Sequence, residues 1–258
     1  LNSLLYKYEL DIARLIEKEF GDRFTFFADG QEATTMTGAQ WRERARRRKA
    51  LMLKYLWNPE RKMFFDFCFK CSADKGRSTY VSATAFYPLW AQDPADPTTR
   101  ILERKDAEAS VQALLAELEA AGGVAATSRE SLAKFGDPKR ARQWDYPNGW
   151  APHQMILWEG LRNYDFTATA DRLINKWLYT ITKNAADYNG TVPEKFDVVK
   201  RSHAVFAEYG NVGTEFAYIT REGFGWMNAS YQVGLKRLSP KWRPELEKLK
   251  PPEWLAFE

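Results

Sequence analysis

The residues best suited to chemistry form one run, Gln143-Trp144-Asp145-Tyr146-Pro147-Asn148-Gly149-Trp150-Ala151-Pro152-His153-Gln154. Trp144, Tyr146 and Trp150 offer flat apolar faces that can lie against the C–H face of a pyranose ring, while Gln143 and Asp145 offer directional groups for hydroxyls. Pro147, Asn148 and Gly149 are turn residues, and Ala151-Pro152 puts a proline where a helix can begin without losing a hydrogen bond. The pattern predicts a sugar-binding loop held by a helix. Any single tryptophan more often packs a core, but three aromatics interleaved with polar groups on a loop favour a site. Asp145 has a second role open to it, bracing the loop through backbone hydrogen bonds, as aspartates beside turns do. Carboxylates recur later, at Glu194 after Gly190-Thr191-Val192-Pro193 and at Glu208. Without further context Glu194 reads as a loop glutamate paired with Lys195 or an arginine.

The elements that must position these groups are helical. Leu5, Tyr8, Ile12 and Leu15 recur at spacings of three and four and predict a helix over 4–20, with a second over 37–57. The segment 62–82 predicts a hairpin turning at Asp74, Lys75 and Gly76. Residues 83–90 resume helical character before the break at Pro94 to Pro97. Val111, Leu114, Leu115 and Leu118 mark a helix closed by Gly122-Gly123. Ala151, Met155, Trp158 and Leu161 mark the helix after the aromatic loop. Ala170, Leu173, Ile174, Trp177 and Ile181 mark the next, and Met227, Tyr231, Leu235 and Leu238 the last. Periodicity alone predicts an all-α domain with one small β-hairpin.

Composition excludes several classes. At 258 residues and 45% hydrophobic, the chain can bury one substantial core. No apolar run approaches the ~18 residues of a membrane span, so no membrane partner is expected. The net charge of +4 comes largely from Arg42, Arg44, Arg46, Arg47, Arg48 and Lys49. No base-reading motif accompanies that run, so it reads as a solvated helix face rather than a nucleic-acid surface. Cys68 and Cys71 are the only cysteines, and His153 and His203 lie far from them, which argues against zinc and leaves no metal site. If 63–69 is a strand, residues three apart face opposite ways, and both cysteines are expected to be free thiols.

The run from Gln143 to Pro152 resembles the second signature of the trehalases, the inverting glycosidases of family 37. Glu194-Lys195-Phe196-Asp197-Val198, Ala207-Glu208-Tyr209-Gly210-Asn211 and Glu222-Gly223-Phe224-Gly225-Trp226-Met227-Asn228-Ala229-Ser230-Tyr231 resemble later segments of that family in the same order. The last two, with the opening Leu1 to Glu9, are most similar to the fungal neutral members.

The resemblance implies an (α/α)6 toroid, with residues 1–258 as the C-terminal part of a single catalytic domain. It implies hydrolysis of α,α-trehalose to glucose by inversion, which needs an acid to protonate the leaving oxygen and a base to activate water. Glu194 matches the catalytic base. Gln143, Trp144 and Glu208 match substrate contacts, while Phe224 and Trp226 either line the pocket or close-pack a helix entry. Phe196 replaces the tyrosine usual in the base motif, keeping the ring without its hydroxyl. His203, in a loop of the fungal type, reads as a surface histidine.

The family's general acid is an aspartate in a Gly-Trp-Asp signature upstream, and no such signature occurs in this chain. Three readings follow: a portion of a longer enzyme, which is the expectation; an acid supplied by another chain; or a noncatalytic sugar-binding or interaction module. The resemblance implies no cofactor here, because the calcium-binding segment of neutral trehalases, like their phosphorylation region and 14-3-3 contacts, belongs to an N-terminal region outside this chain. It also implies a cytoplasmic location.

Overall fold

The computed structural model describes residues 1–27, 33–70, 76–137, 142–205 and 224–257, with the strands Ala207–Tyr209 and Thr214–Phe216. Helix α1 (Asn2–Glu19) is followed by an antiparallel ladder of β1 (Arg23–Phe26) and β2 (Thr34–Thr37), which returns the chain into α2 (Gly38–Tyr55). Thr37 starts α2 with a reciprocal cap, its side chain accepting from the Gln40 backbone while Gln40 Oε1 accepts from the Thr37 backbone. The buried face of α1 is Ser3, Tyr6, Glu9, Leu10, Ala13 and Ile16, whereas Tyr8 and Leu15 are exposed. This corrects the expected stripe. The helix turns inward a face that mixes apolar residues with Ser3 and Glu9, because α2 and the segment after it supply partners for its polar groups. Arg48 grips both Glu9 oxygens at 2.8 and 2.9 Å, and the Tyr6 hydroxyl donates to the Thr99 carbonyl. Arg42, one end of α2, grips Glu17 near the far end of α1, so the two helices run antiparallel.

After α2, β3 (Trp57–Asn58) pairs with β4 (Met63–Phe64), and Phe67 bridges Arg77. The expected hairpin over 62–82 is therefore shorter and spends its first strand on the preceding segment. Its turn residues Asp74 and Lys75 lie outside the described residues. Cys68 is disulfide-bonded, which overturns the expectation of a free thiol. Regular strand stops at Phe64 and residues 69–70 form a turn, so the opposite-face argument does not apply there; Cys71 lies outside the described residues.

A 3-10 turn (Ala83–Phe86) leads into α3 (Tyr87–Trp90), and α4 (Arg104–Leu118) follows. Helix α4 ends as Glu119 turns extended, and the two glycines turn a ladder of β5 (Glu119–Ala120) and β6 (Gly123–Val124) instead of capping the helix. Gly123 sits there at φ +135°. The chain continues through α5 (Arg129–Phe135), β7 (Asn148–Gly149), α6 (Ala151–Asn163), α7 (Thr167–Asp187) and β8 (Phe196–Asp197). It then passes through β9 (Ala207–Tyr209), β10 (Thr214–Phe216), α8 (Gly225–Arg237) and α9 (Arg243–Glu247). The described residues thus hold five two-stranded ladders, against the one small hairpin expected, in an otherwise helical chain.

Helices α6, α7 and α8 make the centre. Leu157, Trp158, Leu161, Leu173, Ile174, Trp177 and Leu178 are all buried, and the Trp177 indole N–H donates to Ser230 Oγ at 2.9 Å, tying α7 to α8. Burying such side chains contributes roughly 1.5–3 kcal/mol each, which is why this three-helix unit anchors the loops on its rim. Phe196 is fully buried with its ring 6.1 Å from Trp177.

Candidate active site

The aromatic loop is built from its own polar groups. Asp145 Oδ2 accepts the Arg142 N–H at 2.8 Å, and its carbonyl accepts the Asn148 N–H at 3.0 Å, so Asp145 braces the turn. The Gln143 carbonyl accepts both Asn148 Nδ2 at 3.1 Å and the Trp150 indole N–H at 2.9 Å. The Tyr146–Pro147 peptide is cis. Trp150 is thereby drawn inside, buried at the N-cap of α6, while Trp144 stays 41% exposed and stacks on it at 3.8 Å and 10°. The outer ring is the accessible platform, and the inner one is core.

Strand pairing then brings the carboxylate loop to this platform. Asn148 pairs with Asp197 and Gly149 with Phe196, extended by the Val198 N–H to the Pro147 carbonyl at 3.1 Å. Gly149 has no room for a side chain: a Cβ there would fall 2.3 Å from Val198 Cγ1 and 3.0 Å from the Val124 carbonyl oxygen. Any larger residue would push the two loops apart. Asp197 Oδ1 accepts from Val199 and Lys200, both at 2.9 Å, fixing the turn that follows.

The N-terminus of α8 closes the third side. Phe224 is its N-cap, and Trp226 in its first turn sets its edge against Trp150 at 5.5 Å and Trp144 at 6.5 Å, with Phe224 5.2 Å away. The Trp226 indole N–H donates to the Glu194 carbonyl at 3.0 Å. Helix entry and aromatic cluster are therefore one feature. Glu194 presents a side chain 19% exposed, with Oε2 3.7 Å from Lys195 Nζ. Trp144, Trp226 and Glu194 thus meet, and the half-buried Gln143 begins the loop that carries the platform. Glu208 is placed only as backbone, in β9 opposite Glu215 of β10; its side chain lies outside the described residues.

Two neighbours went unassigned by sequence reasoning. Lys195, read there only as an ion-pair partner, is 1% exposed, with its ammonium 5.0 Å over the Trp150 ring. His153, in the first turn of α6, is buried 5.4 Å from Trp144, and burial pushes its imidazole down to about 4. Its Nδ1 has no hydrogen-bond partner among the described residues. The only sequence signal for either was its place inside a run already singled out, Glu194 to Val198 for Lys195 and Gln143 to Gln154 for His153. His203 is half-buried, with Nδ1 2.9 Å from Asn184 Oδ1 and its ring 4.0 Å from Tyr188.

Among the described residues no group of three His, Cys, Asp or Glu side chains is placed to hold a metal ion, and no helix is long and apolar enough to cross a membrane. Cavities of about 420 Å³ between α1 and α2 and about 300 Å³ beside Tyr231 are lined by other residues than the site's.

The trehalase family model matches residues 1–239. The chain belongs to the trehalase family. It is 44% identical to the cytosolic neutral trehalase of Neurospora crassa over 98% of its own length and 34% of that protein's. It is 42% identical to that of Saccharomyces cerevisiae, over 98% and 32%. The chain thus spans about a third of the length of these relatives. The solved neutral trehalase of Saccharomyces cerevisiae superposes with a TM-score of 0.76 at 38% identity, covering 98% of this chain and 40% of that one. A mannosylglycerate hydrolase of family 63 from Thermus thermophilus, in complex with glucose, superposes at 0.60 and 17% identity over 91% of this chain and 46% of that one. That second likeness concerns fold alone: the trehalase-family chain has the all-α architecture of the helical toroid enzymes.

Proposed function

We propose that this chain is the C-terminal part of the catalytic domain of an α,α-trehalose hydrolase working in the cytosol by inversion, without a cofactor. Trehalose lies against the exposed face of Trp144, with Gln143, Glu208, Phe224 and Trp226 around it. Glu194 removes a proton from a water that attacks the anomeric carbon, while an acid outside this chain protonates the departing oxygen from the opposite side, the two carboxyl groups standing ~6.5–9.5 Å apart. Regulation through a 14-3-3 partner acts on sequence outside this chain. The observation that supports this best is the β7–β8 pairing, which sets the Glu194 loop beside the stacked tryptophans in a chain of the trehalase family.

The test is glucose release from trehalose, maltose and sucrose by the chain, alone and with the upstream segment of a fungal neutral trehalase supplied. Glu194→Gln is expected to lose about 10²–10⁴-fold on trehalose; undiminished turnover in that variant rules Glu194 out as base. Preferred turnover of maltose or sucrose would replace trehalose as substrate. The absent Gly-Trp-Asp signature keeps a second reading in play, a noncatalytic sugar-binding fragment. Trehalose binding with no turnover in either form favours it.

A further inference from the structure

Glu194 and Lys195 are neighbours in sequence and opposites in burial. The glutamate faces the site, 19% exposed, and the lysine runs inward, 1% exposed. A lysine ammonium is a compact, strongly hydrated charge, and withdrawing it from water is strongly opposed unless other groups replace the water. A leucine or methionine would fill the same space without that opposition. Here the replacements include the face of Trp150, 5.0 Å away, and the Glu194 carboxylate, 3.7 Å away. Trp150 in turn stacks at 3.8 Å on Trp144, the ring with free surface. One cation therefore touches both the inner ring of the platform and the carboxylate beside it.

We propose that Lys195 is a positioning residue, holding the Glu194 carboxylate at a fixed place and coupling it to the stacked tryptophans, so that the seat of the sugar and the base that activates water are set by one ammonium. The proposal rests on the reading of Glu194 as base. At 3.7 Å the contact is an ion pair rather than a full hydrogen bond, so the carboxylate keeps its lone pairs for a water proton. Coulomb attraction in a partly dry environment still restrains where it points. The hydrogen bond from Trp226 to the Glu194 carbonyl fixes the backbone end of the same residue.

Lys195→Met keeps the stem and removes the charge; Lys195→Arg keeps the charge and stacks on an indole. In glucose-release assays on the trehalose-hydrolysing form of the protein, K195M is expected to lower kcat about 10²-fold with KM changed by less than about threefold. K195R should recover most of that loss. The 258-residue chain supplies a second measurement, thermal melts of E194Q, K195M and the double variant. The effect of E194Q on Tm should differ by about 2–4 °C between the two backgrounds. Additive melts, a wild-type kcat in K195M, or K195R as slow as K195M would each overturn the coupling while leaving the base assigned. Undiminished turnover in E194Q would instead remove the base itself.

Discussion

On α2, Arg42 and Arg48 each lay two guanidinium nitrogens against one carboxylate of α1, while beneath the aromatic loop Lys195 meets an indole face and a carboxylate at ion-pair distance. The first arrangement consumes its charges: the Glu17 carboxyl, hydrogen-bonded by Arg42, is held below its ordinary value, and Arg42 is raised in return. Two arginines of the basic run so visible in the sequence, Arg42 and Arg48, form a clasp between two helices. The second arrangement leaves its carboxylate free to accept. Density of charge in a sequence therefore says little about where chemistry happens; what matters is whether each charge is already fully hydrogen-bonded.

The comparison breaks most decisively at Trp150. Trp150→Ala removes a buried ring that Trp144, Trp226 and Lys195 all rest on, and should cost about 3–5 kcal/mol in chemical denaturation. Trp144→Ala, at a half-open position, should cost within about 1 kcal/mol yet weaken trehalose binding about tenfold, read by indole fluorescence. If both variants lose stability equally, the division into inner support and outer platform is wrong.

Acid separates the two regions in a different way. His153 is held neutral by burial, its imidazole near 4 against an ordinary 6.5. Between those values the unfolded chain binds the proton that the folded chain refuses, so stability is present above about 6.5 and falls as pH drops towards 4, by about 3 kcal/mol in total. Glu17 behaves as a carboxylate depressed by its partner: its contribution is present above its ordinary 4.5 and is lost only as pH falls through the lower folded value. Urea melts from pH 7 to 4 should flatten in His153→Phe over the upper window; an unchanged slope would mean that His153 takes up a proton in the folded state.

The helices of the centre were legible because their large apolar residues recur at helical spacing and are buried without help. The face of α1 was not, since Ser3 and Glu9 look like surface residues until Arg48 is placed beside them. Of the site, the Trp-rich loop and Glu194 stood out by residue type and family likeness. Their juxtaposition did not, because β7 and β8 are two residues each and leave no alternation to read. Lys195 was hidden for the same reason that surface lysines are ignored: the Trp150 ring that its ammonium overlies is far away in sequence. Cys68 escaped because the strand it seemed to continue ends at Phe64.

Smaller effects sharpen the clasp. Glu9→Ala leaves the Arg48 fork facing a buried gap and should cost about 1–3 kcal/mol, with added salt doing little because Glu9 is only 5% exposed. Arg47, by contrast, is exposed and has no ion pair among the described residues. Arg47→Ala should move stability by less than about 0.5 kcal/mol. That near-null result carries the argument, because Glu9 and Glu17 of α1 already hold Arg48 and Arg42, while Asp11 and Glu19 pair with Lys7 and Lys18 of their own helix. A loss at Arg47 as large as that at Glu9 would mean the arginines act through their summed field rather than through individual forks, and increasing salt would then erase the difference between the two variants.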